Sequence, residues 1–171
     1  MQEIYVENIK EIVRSKKRFE QELKIKLINK GKNVFVEGSA DREYFALEVL
    51  EAVNAGFSVD RALLLKEEGM ILQVIHIKDI TKRGDLERVR GRIIGKDGKT
   101  LKTLNNLTEC DLAINNNDIG IIGNAEEVED AVQAITSLIY GSKQSNVYSR
   151  LERLRKKKKV EDVNMGLNVK E

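Results

Sequence analysis

The sequence contains no proline and a single cysteine, Cys110, among its 171 residues. One cysteine cannot form an internal disulfide, which is typical of proteins in a reducing compartment. No apolar run approaches the ~20 residues that a membrane-spanning helix needs. The amino-terminal stretch MQEIYVENIKE also lacks the basic and then apolar form of a signal peptide. These absences predict a cytoplasmic protein that does not associate with membranes.

Histidine, a frequent catalytic residue and metal ligand, is equally scarce. His76 is the only histidine, and it has no histidine or cysteine partner at the spacing of metal ligands. No Ser/His/Asp or Cys/His pairing stands out, and no Walker-type glycine loop occurs. We therefore expect a protein that is not an enzyme and that holds no cofactor or metal.

The sequence does contain the material for a folded core and a charged surface, since 41% of its residues are hydrophobic and 34% are charged. This balance argues against a disordered or fibrous chain. The net charge is only +2. Any affinity for nucleic acid must therefore come from an uneven distribution of charge along the chain.

The second half of the chain shows a distinct order of elements. Met70–Ile80 is rich in β-branched residues and predicts a strand. A short helix then ends at Gly95, and a second short helix follows Gly98. Alternating apolar residues predict two strands, Cys110–Ile114 and Ile119–Ile122, before a longer helix. The order is strand, helix, helix, strand, strand, helix.

The first half contains a fainter copy of this order. Gly38 and Gly56 are separated by the same interval as Gly123 and Gly141, which registers one half on the other. This duplication of about 60 residues predicts an α+β protein with two tandem βααββα domains. The expected boundaries are residues 1–57 for the first domain, 58–69 for a connecting helix, 70–141 for the second domain, 142–159 for a basic carboxy-terminal helix and 160–171 for a disordered tail.

The segment Arg90–Leu101 (RGRIIGKDGKTL) carries the strongest functional signal. Gly95 and Gly98 bracket two polar residues, so the backbone can turn sharply and approach a phosphodiester closely. The amino terminus of the following helix adds N–H groups and a positive dipole end. A bare GxxG often marks an ordinary turn. Preceded by Ile93 and Ile94 and set in this order of elements, it predicts the RNA-binding loop of a KH domain, and a helix–turn–helix corner of another fold is the alternative.

Basic residues cluster around this loop, with seven of them against three acids between Arg83 and Lys102. Such a patch on a nearly neutral protein predicts contact with phosphates, whereas a solvated helix face is the simpler interpretation of any single member. A second basic run, Arg150–Lys159, either contacts RNA or keeps the protein soluble. The residues predicted to bind RNA are Arg88, Arg90, Arg92, Ile93, Ile94, Gly95, Lys96, Asp97, Gly98, Lys99, Leu101, Lys102, Tyr148, Arg150 and Arg153.

Four segments resemble the archaeal counterpart of Partner of Nob, a family of two-KH-domain factors of small ribosomal subunit assembly. They are RVRGRIIGKDGKTLKTL (Arg88–Leu104), ILQVIHIKDI (Ile71–Ile80), GFSVDRALLL (Gly56–Leu65) and VYSRLERLR (Val147–Arg155). The resemblance extends over nearly the whole chain to Lys159. It implies tandem type I KH domains that bind single-stranded RNA near the 3′ end of small-subunit ribosomal RNA.

The resemblance also implies two protein partners, the Nob endonuclease that matures this RNA end and the α subunit of initiation factor two. In this family the first KH domain tends to lack the glycine loop, and the matching stretch Arg14–Lys17 (RSKK) contains no glycine. We therefore expect the first domain to serve packing or protein contact. Its lysines leave nonspecific RNA contact open.

Two other functions remain open from the sequence. One is a general KH adaptor that acts on messenger or other RNA, which the copurifying RNA would distinguish. The other is a protein-interaction scaffold in translation whose KH loop is vestigial. The intact Gly95 and Gly98 and their basic neighbours argue against the scaffold.

Overall fold

A computed structural model describes residues 1–82 and 84–166, so Arg83 and the last five residues lie outside the description. The first half comprises β1 (Gln2–Tyr5), α1 (Ile9–Arg14), α2 (Lys16–Leu23), β2 (Lys26–Lys30), β3 (Asn33–Glu37) and α3 (Ala40–Asn54). The connection comprises α4 (Val59–Ala62) and a 3-10 turn, Leu63–Lys66. The second half comprises β4 (Met70–His76), α5 (Ile77–Ile80), α6 (Leu86–Ile94), α7 (Lys99–Thr108), β5 (Asp111–Asn115), β6 (Asp118–Asn124) and α8 (Ala125–Ile139), and α9 (Gln144–Asn164) follows.

Each half has a three-stranded antiparallel sheet with the same topology, β1-β3-β2 in the first and β4-β6-β5 in the second. The central strand pairs with both neighbours in matching register. Phe35 lies between Glu3 and Ile28, and Gly120 lies between Val74 and Ala113. The order βααββα in both halves, with α5 as an extra short helix in the second, confirms the predicted fold class.

The predicted strand Met70–Ile80 is too long by four residues. The strand ends at His76, and Ile77–Ile80 forms α5. The Ile77 N–H donates to the Asn117 carbonyl, 2.9 Å away, and the Ile77 side chain is fully buried. The apolar run continues past the strand because the short helix that follows also enters the core of the second half. Composition alone cannot distinguish a buried helix of this kind from a longer strand.

One face of the second sheet is covered by the first half. Leu72, Val74, Ala113 and Ile122 join the apolar core that the first half forms. Phe57, just after α3, reaches the central strand so closely that a Cβ at Gly120 would lie 2.6 Å from its ring. A glycine is therefore required at this contact.

Polar contacts join the halves around this apolar junction. The Asn115 side-chain amide donates to the Asn54 carbonyl at 2.7 Å, and the Arg61 guanidinium lies 3.4 Å from the Asp111 carboxylate. The carboxylate of Glu48 on α3 accepts from the backbone N–H of Leu72, while its burial raises the Glu48 pKa. The two halves therefore pack directly against each other.

The carboxy-terminal helix is longer than the sequence suggested. It begins at Gln144 and ends at Asn164, so Val160–Asn164 is helical, and the expected start of a disordered tail at Val160 is wrong. Residues 167–171 of that expected tail lie outside the described chain. Lys158 contacts Asp130 and Glu126 at 2.7 and 3.6 Å, which holds the helix against α8 almost to its end.

Candidate nucleic-acid interface

The predicted loop connects the carboxyl end of α6 to the amino end of α7. Three of its residues have positive φ angles, Gly95 at 75°, Asp97 at 55° and Gly98 at 74°. These angles are easy for glycine, and aspartate tolerates them better than most other residues. Asp97 therefore belongs to the turn geometry of the loop. No side chain caps α7, so Asp97 does not act as its cap.

The two glycines face different surroundings. A Cβ on Gly95 would lie 2.1 Å from Thr100 Oγ1 and 2.8 Å from the Thr100 nitrogen. At Gly98 nothing lies within 4 Å of the same position. Gly95 is thus required by packing inside the loop, whereas Gly98 provides the open backbone surface that a phosphodiester can approach.

Gln144, the first residue of α9, forms hydrogen bonds with residues on both sides of the loop. Its side-chain amide donates to the Arg92 carbonyl at 3.1 Å and to Thr100 Oγ1 at 3.2 Å. These bonds link the end of α6, the start of α7 and the carboxy-terminal helix. The sequence analysis did not identify Gln144 or Thr100, because no local pattern indicates a bond between residues so far apart in the chain.

Two of the predicted RNA contacts have structural roles. The Arg92 guanidinium donates to the carbonyls of Leu138 at 3.2 Å and Ser142 at 2.7 Å, so it satisfies the carboxyl end of α8. Ile93 is fully buried in the core of the second half. Ile93 is therefore enclosed and has no surface to offer RNA, whereas the half-buried Arg92 has a structural role and its contact with RNA stays a prediction.

The other predicted residues near the loop are accessible. Ile94 and Leu101 are half-buried on either side of it, and the Arg90 guanidinium donates to the Asn116 carbonyl at 3.1 Å. The exposed side chains are Arg88, Lys96, Asp97, Lys99 and Lys102. Lys96 and Lys99 thus lie within two residues of Gly98, with Ile94 and Leu101 on either side of the loop, while Arg88 lies in the first turn of α6. Asp97 is the one exposed acid among these predicted residues.

The carboxy-terminal helix docks through an apolar stripe. Val147 and Leu151 are buried, and the half-buried Tyr148 packs against the core of the second half. The Arg150 guanidinium donates to Gln133 Oε1 at 2.8 Å, whereas Arg153 is exposed. Tyr148 and Arg150 are therefore partly engaged by the protein itself, and Arg153 is the most accessible of the three.

The first half lacks more than the glycines of the loop. Helix α1 ends at Arg14 and α2 begins at Lys16, so Ser15 alone separates them. Ser15 has a φ of −101°, and no residue of this junction has a positive φ. The loop itself is missing, which leaves no backbone surface equivalent to the one at Gly98.

Cys110 and His76, both outside the loop, have pKa values that their surroundings shift. Burial raises the pKa of the Cys110 thiol to about 11, so this core residue stays protonated near neutral pH. A hydrogen bond that His76 donates to the Asp118 carboxylate raises the pKa of His76, whose Nδ1 lies 2.6 Å from Asp118 Oδ1. This pair lies at the end of β4, beside the junction of the two halves.

Neither a metal centre nor a membrane span emerges from residues 1–82 and 84–166. In these residues, no group of three or more histidine, cysteine, aspartate or glutamate side chains is arranged to hold a metal ion. None of the helices in this part of the chain is both long and apolar enough to cross a membrane.

Comparison with known families agrees with this geometry. A family model for the second KH domain of Pno1, described as "Eukaryotic type KH-domain (KH-domain type I)", matches residues 71–156. The chain belongs to this family. The match begins in β4 and ends within α9, so it contains the whole Gly95–Gly98 loop and its Gln144 support.

Two curated relatives and one solved structure extend the comparison. A KH domain-containing protein of Methanocaldococcus jannaschii is 32% identical over 149 residues, which cover 83% of this chain and 66% of the relative. Pre-rRNA-processing protein PNO1 of Debaryomyces hansenii is 34% identical over 123 residues, which cover 70% of this chain and 47% of the relative. The chain thus spans about two thirds of the first relative and less than half of the second.

The structural neighbour is a chain of the a/eIF2alpha–aDim2p–rRNA complex from Pyrococcus horikoshii. It superposes with a TM-score of 0.84 at 28% identity, covering 91% of this chain and 94% of the neighbour. Together these matches confirm the resemblance to the archaeal counterpart of Partner of Nob. The Pno1 and Dim2 homologues are RNA-binding and pre-rRNA-processing proteins.

Proposed function

We propose that this chain binds single-stranded RNA through the Gly95–Gly98 loop during assembly of the small ribosomal subunit. The open backbone surface at Gly98 is the observation that carries the proposal. It adjoins the amino terminus of α7, which no side chain caps, and the exposed Lys96 and Lys99. Backbone N–H groups, a positive dipole end and mobile cations together form a site for a phosphodiester.

The proposed target is the single-stranded 3′ region of small-subunit ribosomal RNA. A neighbour of high structural similarity occurs in a complex with ribosomal RNA and the initiation factor two α subunit, which supports both as partners of this chain. We also propose that the protein is a non-catalytic partner of a Nob-type endonuclease in the cytoplasm. The chain brings no catalytic constellation of its own to that step.

A charge reversal in the loop tests the proposed site. Lys96→Asp places a second carboxylate beside Asp97, so we expect it to abolish specific binding of a 3′-end ribosomal RNA fragment through phosphate repulsion. The side chain is exposed, so thermal unfolding should be unchanged. The matched control is Lys16→Asp at the start of α2, where no equivalent loop exists, and it should change affinity much less.

The outcomes separate the site from the alternatives. Unchanged affinity of the Lys96→Asp variant with normal unfolding would refute the loop as the RNA site. A larger loss from Lys16→Asp, or NMR shifts that concentrate on Arg14–Lys17 during titration with a short RNA, would move the site to the first half.

A second experiment tests the proposed target. Crosslinking the protein to RNA in a cell extract and sequencing the fragments should recover the 3′ region of small-subunit ribosomal RNA. Recovery of diverse messenger RNA fragments would instead favour the general KH adaptor. Recovery of no RNA would favour a protein-interaction scaffold.

A further inference from the structure

The first sheet has an open face that carries aromatic and basic side chains. Val34 and Val36 of the central strand point into the core, so Phe35 points to the opposite face. The register places Ile28 beside Phe35 on this face, and Tyr5 on the same face is 59% exposed. Neither Phe35 nor Ile28 belongs to an apolar core cluster of the described residues.

The duplication shows that this face differs from its counterpart. The register that aligns Gly38 with Gly123 also aligns Phe35 with Gly120, at the centre of each sheet. In the second sheet this position must be glycine, because Phe57 of the first half packs against it. In the first sheet a phenylalanine occupies the position, so no equivalent close approach of a helix end can occur.

Two cations accompany the exposed ring of Tyr5 and the half-buried ring of Phe35. Lys30 Nζ lies 5.5 Å from the centre of the Phe35 ring, and Lys32 Nζ lies 5.9 Å from the centre of the Tyr5 ring. Two acids lie on the same face. Glu3 pairs with Phe35, and Glu37 lies opposite Lys26 in the register. The end of the face that holds Tyr5, Lys30 and Lys32 is therefore the basic end.

We propose that this face is a second RNA-binding surface, which stacks unpaired bases on Tyr5 and Phe35 and meets their phosphates with Lys30 and Lys32. A sheet that displays aromatic rings can stack bases on them whatever their sequence, and neighbouring lysines supply charge for the backbone. The proposal extends the RNA-binding function to the half of the chain that has no loop. It depends on the proposed function only for the class of ligand.

The chemistry of the face favours a nucleic acid over a protein helix. The ring of Phe35 offers a flat surface on which a base can stack. The ammonium groups of Lys30 and Lys32, at the basic end of the face, can pair with phosphates. A packed helix would need apolar surface across the whole face, but Glu3 and Lys26 interrupt it. Unpaired bases need only single rings with charge at one side.

The test uses variants that separate this surface from the loop. Fluorescence anisotropy would follow a labelled single-stranded oligouridylate of about ten nucleotides, which is longer than the roughly four that a KH loop clamps. The ring variants are Tyr5→Leu and Phe35→Ile, and isoleucine retains the strand preference at that position. The matched control is Tyr44→Leu, because Tyr44 is a 75% exposed tyrosine on α3. Each variant is made alone and in the Lys96→Asp background, and thermal unfolding verifies its fold.

In the Lys96→Asp background we expect weak residual binding. Tyr5→Leu and Phe35→Ile should each lower that residual affinity by at least about fivefold, as expected for one lost base stack. Tyr44→Leu should leave it unchanged, and an unlabelled RNA duplex should not compete, since its bases are already stacked.

Three results would overturn the second surface. The first is that the Lys96→Asp variant shows no residual binding, and the second is that the ring variants leave the residual binding unchanged. The third is that the RNA duplex competes as well as the single strand. Failure of the proposed loop has a different signature, because Lys96→Asp alone would then bind as tightly as the wild type. If the wild type binds no single-stranded RNA, both proposals fail.

Discussion

At the scale of single residues, the two loop glycines differ in what surrounds them. We expect Gly95→Ala to lower the free energy of unfolding by roughly 2–4 kcal/mol, because its Cβ would overlap Thr100. Gly98→Ala should cost only about 1 kcal/mol, for the left-handed backbone alone, yet it should weaken RNA binding. Urea unfolding and RNA titration of both variants provide the measurement. Equal destabilisation would show that the loop relaxes around Gly95.

His76 is the second residue with a testable property. Its hydrogen bond to Asp118 raises its pKa, so the pair stabilises the fold fully below the unfolded-state value near 6.5. That contribution is lost as the pH rises through the folded-state pKa. We therefore expect wild type and Asp118→Asn to differ in unfolding free energy at low pH and to converge as the pH rises. NMR titration of this only histidine gives the pKa directly, and an unshifted value would contradict the pairing.

At the scale of elements, the carboxy-terminal helix supports the loop. Gln144→Leu removes the two hydrogen bonds that join α9 to Arg92 and Thr100. We expect weaker RNA binding and faster hydrogen exchange in the loop, with the rest of the fold intact. The control is Gln133→Leu, which loses a bond to Arg150 between α8 and α9 and should leave the loop unchanged. Equal loop exchange in both variants would show that Gln144 has no positioning role.

The same helix carries the second basic run, and its residues divide by their contacts. Arg155 lies 3.4 Å from Glu109, and Lys158 contacts Asp130, whereas Arg153, Lys156, Lys157 and Lys159 are exposed. Neutralising these four to glutamine should flatten the salt dependence of binding by a slope of roughly 0.7 per lost phosphate contact. Affinity should fall on all RNA sequences alike. An unchanged slope would identify the run as a solubilising segment. Substitution is preferable to truncation after Ser149, which would remove the buried Leu151.

At the scale of the whole molecule, the junction at Gly120 joins the two halves. Gly120→Ala should destabilise the protein by roughly 1–3 kcal/mol, because the new methyl group meets the Phe57 ring and Ala55. Phe57→Ala should cost roughly 3–5 kcal/mol. Since the two changes act on one contact, we expect the double variant to be more stable than the sum of both effects predicts. Additive losses, or two separate unfolding transitions of the wild type, would contradict a single cooperative unit.

Much of the architecture follows from local patterns in the chain. The order of strands and helices, the position of the loop and the duplication are all visible from apolar periodicity and from the spacing of glycines. The residues that escaped prediction are those whose partners are distant. Arg92 caps a helix 46 residues away, and Gln144 reaches a residue 52 positions earlier. A basic or amide side chain has no sequence signal that separates such contacts from solvent exposure.

The sequence by itself determined the fold class, the family and the place of the glycine loop, because these depend on short-range periodicity and on a backbone turn that glycine permits. It also determined that the first half lacks that turn. Only the tertiary structure decided which cations are exposed, why Gly95 differs from Gly98, and that Phe57 covers one sheet while the face around Phe35 stays open. These properties depend on packing between elements that are remote in sequence. Which side chains come into contact, and which remain in solvent, then decides the role of each residue.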